Sequence, residues 1–151
     1  MCRQFDSVPS HFLNLYKYII LRLCRIFVGL ILGILLIRIG IHHFINPDIY
    51  DRIVPDYLGA PRFWTLCSGC IEMILGAGLI FNRSRKIASR VLVLFFIVVY
   101  LANINMWIND VPFSGTHLTS KGHIIRLIIQ LILIAFALNL SEINLRLFKR
   151  R

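Results

Sequence analysis

Acidic residues are scarce in this chain: seven Asp and Glu stand against 17 Lys and Arg, and all charged residues together make up 16% of 151 positions. That is too little charge to solvate a soluble domain whose composition is 58% hydrophobic and whose mean hydropathy is +0.75. The chain also lacks a glycine-rich phosphate loop, a nucleophile triad and a haem-attachment motif, so the chemistries that those motifs mark are not expected. It has no internal repeats, low-complexity tracts or long linkers, and one domain is expected. No secretory signal is read near the start, where Arg3, Asp6, Pro9, His11 and Lys17 interrupt any short apolar run. The first transmembrane helix is then expected to serve as its own insertion signal.

What is present is a set of four long apolar runs, at Ile26 to Phe44, Phe63 to Phe81, Val91 to Ile108 and Ile124 to Leu140. Each approaches the ~20 residues that a helix needs to cross ~30 Å of hydrocarbon. The expected fold is therefore all-α, a four-helix transmembrane bundle. Residues 1–25 form an N-terminal cytoplasmic or interfacial segment and residues 141–151 a basic cytoplasmic tail. The segment between the first two runs holds Pro47, Pro55 and Pro61, which break helices, with room for a short interfacial turn or helix between Ile49 and Leu58.

The net charge of +10 would suggest nucleic acid in a soluble protein. Here the basic residues flank the apolar runs, and the partner expected is the bilayer, not nucleic acid. Arg3, Lys17, Arg22 and Arg25 precede the first span; Arg83, Arg85, Lys86 and Arg90 join the second to the third; Arg146, Lys149, Arg150 and Arg151 close the chain. The opposite side holds Arg52, Arg62 and Lys121. The positive-inside rule then predicts both termini in the cytoplasm, as an even number of spans requires. Trp64 and Trp107 fall at the outer interface under this topology.

At about 100° per residue, Gly29, Gly33, Leu36, Gly40 and His43 form one narrow stripe of the first span. Ser68, Gly69, Glu72 and Gly76 share a face of the second, Tyr100, Asn103 and Trp107 of the third, and His123, Arg126 and Gln130 of the fourth. Glu72 is the most informative residue, because a carboxylate in hydrocarbon costs ~2.5–3.5 kcal/mol by insertion scales and calls for a partner or a role. Each helix supplies a polar group to the outer half of the membrane. His43, Glu72, Asn103, Arg126 and Gln130 are therefore expected to form one polar site, with Glu72 and Arg126 as a charge pair. Asn103 and Gln130 equally suit interhelical hydrogen bonding as structural glue, and Glu72 with Arg126 suits a pair that only fixes helix register.

Four segments carry a family resemblance: His43 to Pro55 after the first span, Ser68 to Leu79 in the second, Ala102-Asn103-Ile104-Asn105-Met106 ending the third, and Arg126 to Gln130 opening the fourth. In order and spacing they resemble the DoxX-like family of small four-helix membrane proteins, over roughly Arg25 to Leu138. The resemblance implies that the same five polar residues stand at the family's characteristic positions. It also implies kinship with a small subunit of an archaeal thiosulfate:quinone oxidoreductase, with proteins of redox-protein maturation, and with distant eukaryotic chaperones or cargo receptors. Leu101 and Ile128 stand where the family usually has proline, and Arg38 where it has an apolar residue.

Cys67-Ser68-Gly69-Cys70 is a C-x-x-C that invites a disulfide-exchange reading. Both cysteines project some 140–160° from Glu72 by helical arithmetic, and a structural role is expected for them. His42 and His43 point about 100° apart, so no metal site is expected. The reading that emerges is a multi-pass protein of a prokaryotic cytoplasmic membrane, not a stand-alone enzyme. It is expected to be an accessory subunit of a quinone-linked redox system, with quinone the possible cofactor and a membrane oxidoreductase the possible partner. The alternatives are a non-catalytic membrane chaperone or assembly factor, and a small-solute or proton pathway.

Overall fold

No residue after Pro9 interrupts a helix until Pro47, and the chain forms one continuous helix over that stretch, α1, Ser10–Ile45. The computed structural model describes residues 10–112 and 115–141. Residues 1–9 of the N-terminal segment and 142–151 of the basic tail therefore lie outside the described residues. A short helix, α2, Pro47–Asp51, follows α1, and a single 3-10 turn spans Asp56–Leu58. Three long helices complete the fold: α3, Pro61–Ile80, α4, Arg85–Ile108, and α5, Ser120–Leu140. The described residues are all-helical, and α1, α3, α4 and α5 are each long and apolar enough to cross a membrane.

α1 begins well before the span expected from Ile26. At 1.5 Å per residue its 36 residues reach ~54 Å, more than a bilayer core needs. Residues 15–24 are exposed all round, and burial begins only from Arg25 onward, so the bundle proper starts where the apolar run was read while the helix itself extends beyond it. The reason is local: nothing between Ser10 and Arg25 stops a helix.

α1 and α3 make the most intimate contact, and glycine permits it. A Cβ on Gly33 would lie 2.7 Å from the Gly76 carbonyl oxygen, and one on Gly76 would lie 2.6 Å from that of Gly33. Two turns further along, Gly40 and Gly69 repeat the arrangement at 2.6 and 3.0 Å. The antiparallel backbones thus touch at two points, as small residues allow in membrane helices. Gly29, in the same stripe, faces not a helix but the guanidinium of Arg85: a Cβ there would meet Arg85 Nε at 2.7 Å.

Arg85 is one of the basic residues that flank the spans, and its setting shows a second task. It is buried, donating from Nε to Leu79 O at 2.7 Å and from a terminal nitrogen to Ile80 O at 3.0 Å. These are carbonyls of the last turn of α3, which have no partner within their helix. A cation there also complements the helix dipole. The apolar core lies beside this turn, where Leu32 and Leu36, Leu75 and Leu79, Ala88, Leu92 and Phe96, and Ala137 and Leu140 meet from all four long helices.

Candidate functional site

Among the described residues, the buried polar side chains fall in two groups: Arg85, Ser89 and Ser141 lie at the core end, and His43, Thr65, Glu72, His123 and Gln130 lie from the middle of the helices to the end that carries α2 and the 3-10 turn. Burial repeats the periodicity on three helices: Gly29, Gly33, Leu36, Gly40 and His43 are buried along α1, Gly69, Glu72 and Gly76 along α3, and His123 and Gln130 along α5, whereas on α4 Tyr100 and Asn103 are half-buried and Trp107 is exposed. Arg38, opposite the glycine stripe, is exposed.

His43 is the side chain that meets Glu72. Its Nδ1 lies 3.3 Å from Glu72 Oε2, with the two side chains only 8% and 11% exposed. The same Nδ1 lies 3.0 Å from Ile39 O, and a carbonyl can only accept, so Nδ1 carries the proton. That proton lies between the Ile39 carbonyl and the carboxylate, and Glu72 Oε2 is left without a well-aligned hydrogen bond. The expected pairing of Glu72 with Arg126 is thereby corrected. Arg126 donates instead to Asn103 Oδ1 at 2.8 Å and to Met106 Sδ at 3.3 Å, both on α4. Gln130 donates to Phe96 O at 2.8 Å, also on α4. Of the five residues, then, the structure joins His43 to Glu72 across α1 and α3, Asn103 to Arg126 across α4 and α5, and ties Gln130 to the α4 backbone.

α2 folds back over the end of α1 and brings residues that periodicity could not point to. The Tyr50 ring stacks on His43 with centroids 3.7 Å apart and planes at 26°. Asn46 Nδ2 donates to His42 Nε2 at 3.1 Å, which leaves the other ring nitrogen of His42 to donate to the Tyr50 hydroxyl at 3.0 Å. Adjacent histidines thus part company, His42 toward Tyr50 and His43 toward Glu72. Burial raises the Tyr50 phenol above its usual range, and the Glu72 carboxylate adds to the shift. Arg62, in the first turn of α3, holds Asp48 and Asp51 of α2 in place, with Nε 2.7 Å from Asp51.

Beside this cluster lies a pocket of about 380 Å³. Its walls come from His43, from Tyr50, Ile53, Val54, Pro55, Tyr57 and Leu58, from Trp64, Thr65, Cys67, Ser68 and Ile71 of α3, and from one side of α4 between Phe95 and Ala102. Trp64 Nε1 donates to Leu58 O at 3.4 Å, which fastens the 3-10 turn to α3. Ser68 donates to Thr65 O at 2.9 Å. Thr65 is 2% exposed, and its hydroxyl has no hydrogen-bond partner among the described residues. Cys67 and Cys70 are free thiols: Cys67 is half-buried and lines the pocket, whereas Cys70 is exposed. No group of three His, Cys, Asp or Glu among the described residues is arranged to hold a metal. On the other flank, Trp107 stacks on the buried His123 at 5.3 Å with planes 3° apart.

Four apolar helices around a buried polar cluster define a multi-pass membrane protein by length and composition. The chain belongs to the family described as "Domain of unknown function (DUF8561)", which matches residues 32–141 and so covers the bundle from the middle of α1 to the end of α5. No curated protein matches it, and neither does any solved structure.

Proposed function

We propose that this protein is a DoxX-like accessory subunit of a membrane redox system, and that the pocket beside His43 receives the head group of a quinone. The observation that carries the reading is the 380 Å³ space with His43 in its wall and Glu72 3.3 Å behind that ring. Pockets of this size suit small ligands, and an ionisable residue within a span by default marks a proton or substrate site. Reduction of a quinone consumes two electrons and two protons. The electrons come from a partner oxidoreductase, and the two protons come from water at the outer face, passed one at a time by the His43–Glu72 pair beside the pocket. Both termini lie in the cytoplasm of a prokaryotic cell, which puts the pocket at the outer face, and the basic bias of the sequence supports this orientation.

The test is gentle purification in lipid nanodiscs from the native membrane, with identification of the lipid-soluble molecules and proteins retained. Quinone and an oxidoreductase held by the wild type, with quinone lost in Glu72→Gln, is the expected result. A second reading, a non-catalytic chaperone or assembly factor, draws on the Asn103–Arg126 and Gln130–Phe96 contacts, which serve to tie α5 to α4. A membrane client retained without any quinone would favour it and overturn the first.

A further inference from the structure

We infer that the pocket takes a neutral, ring-headed, bilayer-soluble molecule that enters sideways between α3 and α4, and that the Thr65 hydroxyl is the hydrogen-bond anchor for its head-group oxygen. This rests on the pocket proposed above as a ligand site, but not on any redox role for it.

Thr65 carries the inference. A buried hydroxyl without a partner forfeits its hydrogen bonds with water and gains none in return, which makes it rare among buried polar groups. Here the hydroxyl belongs to a residue that lines a space large enough for a ligand. The route is set by exposure: Ile71 on α3 and Val98 and Leu101 on α4 line the same space and are also exposed on the lipid-facing surface. From Trp64 to Ile71 the lining runs along about 10 Å of helix, so a head near the membrane interface would have its tail in the hydrocarbon.

Charge decides the class of head group. The polar lining beyond His43 is neutral, and the His43 proton is already shared with Ile39 O and the Glu72 carboxylate. An anionic head would find no Arg or Lys among the residues that line the pocket, which disfavours fatty acids and phosphates. The aromatic walls, Tyr50, Tyr57, Trp64 and Phe95, suit a flat ring instead.

The experiment uses the full chain in nanodiscs, with Cys2, Cys24 and Cys70 replaced by alanine so that Cys67 is the sole thiol. The rate of its alkylation by N-ethylmaleimide reads occupancy. A decyl-substituted, otherwise fully substituted benzoquinone and 4-decylphenol should both slow the reaction, and decanoate at equal concentration should not. Thr65→Val should raise the concentration for half-protection about tenfold, as loss of one buried hydrogen bond predicts, and Thr65→Ser should restore it. Without any probe, Thr65→Val should unfold no more readily than the parent, since no bond is lost. Decanoate protecting as well as the neutral probes, no protection by either neutral probe, or protection indifferent to Thr65→Val would each overturn the inference. Thr65-dependent protection in a protein that retains no oxidoreductase would instead sink the redox reading and leave the inference standing.

Discussion

The His43–Glu72 contact can be weighed against the pairing expected from the sequence. At 3.3 Å, two full charges in an effective dielectric of about 20 attract by ~5 kcal/mol, and a neutral hydrogen bond would contribute ~1 kcal/mol. The side chains are almost wholly buried, so solvent screening takes little from either figure. His43→Phe keeps a ring to stack on Tyr50 but removes the Nδ1 proton, leaving Glu72 buried without its partner. A loss of ~2–3 kcal/mol is expected. Glu72→Leu is milder, because a neutral His43 keeps its bond to Ile39 O; ~1–2 kcal/mol is expected. The double variant replaces a buried polar pair by two apolar side chains and should recover ~2–3 kcal/mol of the summed loss. Reversible unfolding in mixed micelles measures all four proteins. The same cycle on Glu72 and Arg126 should be additive to within ~0.5 kcal/mol. Additivity at His43–Glu72, or stronger coupling at Glu72–Arg126, would refute the assignment.

Gly76→Val places a Cβ 2.6 Å from Gly33 O and 2.8 Å from Ile37 Cγ1; α1 and α3 must part, with a loss of ~1–3 kcal/mol in the same unfolding assay. Arg85→Gln removes the donors to Leu79 O and Ile80 O from a buried site and should cost ~1–3 kcal/mol, and Arg85→Lys, with one compact ammonium, should not fully restore stability. A reporter fused after Arg151 should behave as cytoplasmic and one inserted near Pro55 as extracytoplasmic; the reverse pattern would overturn the proposed orientation. Cys67→Ala with Cys70→Ala should leave unfolding and partner retention nearly unchanged, whereas a disulfide trapped to a partner would show that these thiols react.

The long helices were legible because apolar length and proline positions are local properties. Pro47 and Pro61 lie where helices begin, and α3, α4 and α5 start within a few residues of the apolar runs or, at Arg85, at the basic turn before one. Faces were legible too, since burial follows the same angular repeat that placed Gly33, Gly40 and His43 in one stripe. Neighbours were not. Periodicity says that Glu72 looks inward but not which helix it meets, and formal charge favoured Arg126 over a histidine of ambiguous charge. The close approach of α1 to α3, set by paired glycines, decides for His43. The pocket was hidden for another reason: Tyr50 and the turn to Leu58 reach it only by folding back, and Thr65 becomes notable only when its hydroxyl is seen to lack a partner.

The glycine crossings also bear on how the chain is made. α1 and α3 are successive spans, and a chain synthesised from its N-terminus presents them to the membrane before α4 and α5 exist. Because Gly33–Gly76 and Gly40–Gly69 need only these two helices, the hairpin can close at once and carry His43 to Glu72. Glu72 therefore enters hydrocarbon with its partner already in place. Had Arg126 been that partner, Glu72 would have waited, exposed to lipid and to quality-control proteases, until the last helix arrived.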